Sequence, residues 1–152
     1  MTTVGDISRW MNNIAPLALS ESWDNTGLLL GDPAQVVTKL MTCLTLTPES
    51  VSEAVAEQAS LVIAHHPLPF KPLSRITTDS LAGKLLWKLA SAGIAVYSPH
   101  TAWDSADEGI NALLANYLQL QNVQPLVPCE VPEFIGKISG RDGSGTCQNH
   151  VR

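Results

Sequence analysis

Charge is scarce in this chain. Only 15% of its 152 residues are charged, and the formal net charge is -5. No cluster of Lys and Arg occurs, which argues against a sequence-independent nucleic-acid surface. No apolar run approaches the roughly 20 residues of a membrane-spanning helix, so no membrane partner is expected. The opening MTTVGDISRW lacks the basic-then-apolar order of a secretory leader. Cysteine is rare and odd in number: Cys43, Cys129 and Cys147 lie far apart and none forms C-x-x-C. That argues for a reducing, cytoplasmic setting over a disulfide framework. Internal repeats and low-complexity segments are also missing. What remains is 45% apolar, enough for one domain with a real core.

The apolar residues fall into short runs and helical stripes. Ile7, Trp10, Met11 and Ile14 share a helical face, with Asp6 as a cap and Pro16 as a stop. ESWDNTGLLLG offers turn chemistry at Asp24, Asn25 and Gly27, then a short buried strand at residues 28–30. Residues 36–46 read as a strand. Thr47-Pro48-Glu49 reads as a helix start, with Val51, Ala54, Val55 and Ala59 on one face. Residues 61–64 (LVIA) suit a buried strand, and Pro67, Pro69 and Pro72 forbid regular structure just beyond it. Asp79 caps a helix through Ala82, Leu85, Leu86, Leu89 and Ala90, ended by Gly93. IAVYSP is a further buried strand, and residues 108–118 form a last amphipathic helix. Strands alternating with helices predict an α/β fold with a mostly parallel sheet flanked by helices. Residues 121–134 read as a linker, FIGKISG as the start of another strand, and GRDGSGTCQNHVR as too polar to pack alone.

In open α/β sheets, sites lie outside the carboxyl ends of the strands. His65 and His66 leave one strand there, and SPHTAWD brings His100, Thr101 and Asp104 from the next. Imidazole nitrogen with carboxylate oxygen suits zinc, manganese, iron or nickel better than calcium. Adjacent histidines in an extended segment point to opposite sides. Each would then hold a different ion, with Asp104 bridging two ions roughly 3.5–4 Å apart. A structural reading fits the same spacing: the paired histidines as a turn and Asp104 as a helix cap. Trp103 reads as core rather than as a stacking platform, and Cys43 as a small apolar filler. GRDGSG lacks the Lys-Ser/Thr of a phosphate loop. Ser80 and Ser98 have no adjacent base in sequence and carry no nucleophile assignment.

Taken together, APLALSESWDNTGLLLGD, LVIAHHPLPFKPL and VYSPHTAWDSADEGINALLA resemble the Nif-three-like family, also called GTP cyclohydrolase I type 2 homologues. The resemblance covers residues 10–118. It implies a two-lobed metal-binding fold and a dinuclear centre of two divalent ions. It also implies a homohexamer, and hydrolysis of a small-molecule substrate of the nucleotide kind. By motif it makes His65, His66 and Asp104 metal ligands, with His100 lining the pocket. It makes residues 1–125 the first lobe, with half of the metal site, and residues 126–152 a linker and the start of the second. The family pattern continues to a His-x-x-x-Glu pair, whereas this sequence stops at Arg152 with His150 as its last histidine. A truncated chain with about three of five expected protein ligands is the expectation. The alternative is a non-catalytic metal-binding or interaction module.

Overall fold

Each short apolar run is too brief for a helix and too apolar for a loop, and each becomes a strand. The computed structural model describes residues 1–125. The expectations for residues 126–152 (linker, further strand and start of a second lobe) lie outside the described residues. The elements run α1 (Val4–Ile14), a 3-10 turn (Leu17–Leu19), β1 (Gly27–Leu30), β2 (Leu40–Cys43) and α2 (Pro48–Ala56). They continue with β3 (Leu61–Ala64), α3 (Leu81–Ser91), β4 (Ala95–Ser98), α4 (His100–Ser105) and α5 (Ile110–Tyr117). No helix among the described residues is long and apolar enough to cross a membrane.

The four strands form one sheet in the order β1-β4-β3-β2. β2 pairs parallel with β3, and β3 parallel with β4. β1 pairs antiparallel with β4. The sheet is thus mixed, although mostly parallel as expected. The register aligns Cys43 with Ala64 and Leu61 with Ala95. The residues just past β2, β3 and β4 therefore leave along one edge. Because β1 runs the other way, Gly27 pairs with Ser98. The segment entering β1 thus reaches the same edge, and Asp24 comes with it.

The chain divides into two units, Met1–Arg9 with Asp24–His100, and Trp10–Trp23 with the described residues after His100. In the first, Val51, Ala54, Val62, Ala64, Leu85, Leu89 and Val96 are core residues. β4 is buried throughout, as a central strand should be. In the second, Ala15, Leu19 and Ala106 pack together, and the partly buried Trp103 packs against them rather than standing free as a stacking platform.

Several boundaries differ from the sequence pattern for local reasons. Thr3, not Asp6, caps α1. The Thr3 hydroxyl accepts from the Asp6 amide at 3.2 Å while the Asp6 carboxylate accepts from the Thr3 amide at 2.8 Å. That backbone hydrogen bond, ahead of the Thr3 hydroxyl and Arg9, holds the Asp6 carboxyl below its ordinary range. Ser80, not Asp79, caps α3 through the Gly83 amide. The strand expected over residues 36–46 shrinks to four, and Val36 instead bridges to Thr3. Leu28 to Leu30 are half-buried rather than buried, because β1 lies at the sheet edge. Gly93 does end α3, with φ +66, a conformation glycine adopts at no steric cost.

Candidate metal centre

The two histidines after β3 sit on a backbone held from both sides. The His65 amide donates to the Cys43 carbonyl at 3.1 Å, and the His66 amide to the Leu44 carbonyl at 2.9 Å. From the other neighbour, the buried Ser98 hydroxyl donates to the His65 carbonyl at 2.7 Å. Ser98 is therefore a brace for this turn.

The rings converge rather than diverge. Centroids of His65 and His66 are 5.0 Å apart, those of His65 and His100 5.2 Å, and those of His66 and His100 5.7 Å. The expectation that the adjacent histidines face opposite sides does not hold. Regular strand stops at Ala64, and residues 65 and 66 lie in a bend where alternation lapses. One nitrogen from each of His65, His66 and His100 lies within 4.8 Å of the others. A tetrahedral zinc sets its ligand atoms about 3.4 Å apart, given metal–nitrogen bonds of about 2.0–2.1 Å. The observed spread of up to 4.8 Å is wider than that, and the chemistry of the donor set, three imidazoles, fits a divalent ion of the borderline-soft kind.

Two of the rings have an outer partner at Nδ1. His66 Nδ1 meets the Thr45 hydroxyl at 2.7 Å. His100 Nδ1 meets both carboxylate oxygens of Asp24, at 2.8 and 2.9 Å. The Asp24 side chain is fully shielded from solvent, and that of His100 is 15% exposed. In each case Nε2 is the nitrogen left to offer a ligand, the usual second-sphere arrangement of metal-binding histidines. The loop carrying Asp24 is tied down by Asn25, whose side-chain amide donates to the Pro69 carbonyl at 2.6 Å. His100 has φ +30, a sparsely populated value for a residue with a Cβ.

Of the residues marked by sequence, His65, His66 and His100 come together. Asp104 lies on α4 in the second unit and is not a member of that group of three. Its backbone carbonyl accepts from the Asn111 side chain at 3.0 Å. The sequence pattern does not single out Asp24 or Thr45. Asp24 reads as turn chemistry, and only the antiparallel direction of β1 shows that it belongs at this edge. Cys43, half-buried against the core, is a filler as expected. Burial pushes its thiol above the ordinary value, more than the Ser50 hydroxyl draws it down.

The sequence and the fold have counterparts in known proteins. A family model described as Duf34/NIF3 (NGG1p interacting factor 3) matches residues 2–150. The chain is 41% identical over 115 residues to a GTP cyclohydrolase 1 type 2 homolog of Clostridium acetobutylicum, covering 76% of this chain and 43% of that protein. It is 35% identical over 125 residues to human NIF3-like protein 1, covering 82% and 33%. Among solved structures, a Bacillus cereus protein related to NIF3 superposes with TM-score 0.78 at 37% identity, over 85% of this chain and 36% of that one. Reduced HcgD of Methanocaldococcus jannaschii gives 0.77 at 30%, over 83% and 50%. The chain thus spans less than half the length of the curated relatives it matches. With a family model covering nearly every residue and a matching fold at 37% identity, the chain belongs to the Duf34/NIF3 family.

Proposed function

We propose that this chain binds divalent metal through His65 and His66, with Asp104 as a carboxylate ligand and His100 beside them. The observation that supports it most is the convergence of three imidazoles on one sheet edge. Zinc, manganese, iron and nickel all suit such donors. In a complete site we assign two ions, as in a dinuclear hydrolase. Such ions, when bound, lower the pKa of water and polarise a substrate. The name of the clostridial relative makes GTP the first substrate to try. We further propose a cytoplasmic homohexamer acting on a small nucleotide-like molecule, with no membrane or nucleic-acid partner.

The chain's own part is to hold and orient. Hydrogen bonds from the His65 and His66 amides to the β2 segment, and from Ser98 to the His65 carbonyl, hold the backbone that carries these imidazoles. Removing a ligand should weaken metal binding, because a site with three or four donors has few contacts to spare. Metal content of purified His65→Ala, His66→Ala and Asp104→Ala chains tests the assignment. Loss in the two histidine variants and a decrease in the aspartate variant are expected. Unchanged content in all three would sink it.

A second reading, a non-catalytic metal-binding module, is favoured by the donor count. Among the described residues the group holds three imidazoles and no carboxylate, a set that suits one ion better than two. Turnover of GTP by the metal-loaded chain would rule this reading out.

A further inference from the structure

We propose that Asp24 is a positioning residue, which locks His100 in the tautomer whose Nε2 lone pair is available to the metal centre. The inference rests on the metal-binding reading above, but its first readout needs no metal.

A neutral imidazole carries one proton, on Nδ1 or Nε2, and the neighbour decides which. An ionised carboxylate offers acceptors only. Both oxygens of Asp24 approach Nδ1, at 2.8 and 2.9 Å, so the proton belongs there. The Asp24 side chain has no solvent exposure, so water does not compete for the contact. The fold commits backbone to this pair. β1 runs antiparallel, which delivers Asp24 to the edge where β4 ends. Asn25 fastens the same loop to Pro69, and His100 keeps φ +30 beside it. Strain of that kind persists only where surrounding contacts over-determine it.

The contrast with His66 sharpens the assignment. Thr45 presents a hydroxyl, which donates or accepts with equal ease, so it orients His66 without dictating where the proton sits. Asp24 does dictate it.

Long-range nitrogen–proton correlation spectra of isotope-labelled, metal-free chain test this near neutral pH, with His100→Gln used to assign the signal. We expect the His100 proton on Nδ1 in the wild-type chain. In Asp24→Asn an amide N–H can face Nδ1, and the proton should move to Nε2. Zinc affinity, measured by competition with a coloured chelator, should then fall about 10–100-fold. On the His100→Gln background, Asp24→Asn should change that affinity by less than about twofold, as for a residue acting through His100. Thr45→Val should leave the His100 signal where it is. A wild-type proton on Nε2 overturns the proposal without any variant, even if Asp24→Asn fails to fold. So does a proton that stays on Nδ1 in Asp24→Asn, or one that moves with no change in zinc affinity. If the proton moves as expected but the wild-type chain binds no zinc, the fixed tautomer stands and the metal reading fails.

Discussion

Side chains at the sheet edge come from the residues that succeed each strand. His65, His66 and His100 are visible in the sequence because each comes just after an apolar run, where a parallel sheet concentrates its chemistry. Asp24 is not visible, because its own segment reads as an ordinary turn. Its place depends on the direction of β1, which no local pattern encodes. Two buried or half-buried residues behind the edge carry a pH consequence. Burial raises the pKa values of Cys43 and Tyr97 above their ordinary 9.0 and 10.0. The native state then holds these protons more tightly than the unfolded chain does. Stability is fully present below the ordinary values and is lost as pH rises through the raised ones. Denaturant midpoints should fall on the alkaline side of about 9, and less steeply in Tyr97→Phe. The Tyr97 hydroxyl is buried without a hydrogen-bond partner among the described residues. Its removal at neutral pH should be neutral or stabilising by up to about 1 kcal/mol. A loss well beyond that would show that water or a ligand holds the hydroxyl.

Elements form where short-range chemistry and burial agree. α2 is the clearest case. The Thr47 hydroxyl accepts from the Ser50 amide, the Ser50 hydroxyl accepts from the Thr47 amide, and Pro48 opens the first turn. Thr47→Ala should lower stability by about 1 kcal/mol, within roughly 0.5–2, as read by chemical denaturation. A loss below a few tenths would mean that Ser50 alone suffices. Gly31 should be far less tolerant. It has φ +118, and a Cβ there would stand 2.5 Å from the Ala95 side chain in the middle of the sheet. Gly31→Ala must push β1 off β4. It should both destabilise the chain and loosen Asp24, which enters the site through β1. Helices α1, α2, α3 and α5 are legible from periodicity, because each is long enough to show a stripe. α4 is not, since six residues span fewer than two turns. The pattern around β2 runs longer than the strand itself, because β-branched and apolar residues continue past the point where its neighbour pairs.

At the scale of the whole molecule the decisive quantity is how many donors a chain brings to one place. Among the described residues, one nitrogen from each of three imidazoles gathers within 4.8 Å on the first unit. A structural zinc takes four ligands, and two ions sharing bridges still need more donors than three rings supply. Water fills open positions, but it does not hold an ion in place. The relatives are more than twice as long as the part this chain matches. The remaining length is therefore where further donors for a second ion would be sought. A chimera carrying that remaining portion of the Clostridium acetobutylicum relative after residue 125 should bind two metals per chain. The present chain should bind one, weakly, and hydrolyse GTP poorly or not at all. Metal stoichiometry by elemental analysis after exhaustive dialysis, alongside GTP turnover, compares the two directly. Two tightly held ions in the present chain would overturn this donor count. His150 or a neighbouring subunit would then be the first place to look for the extra ligands.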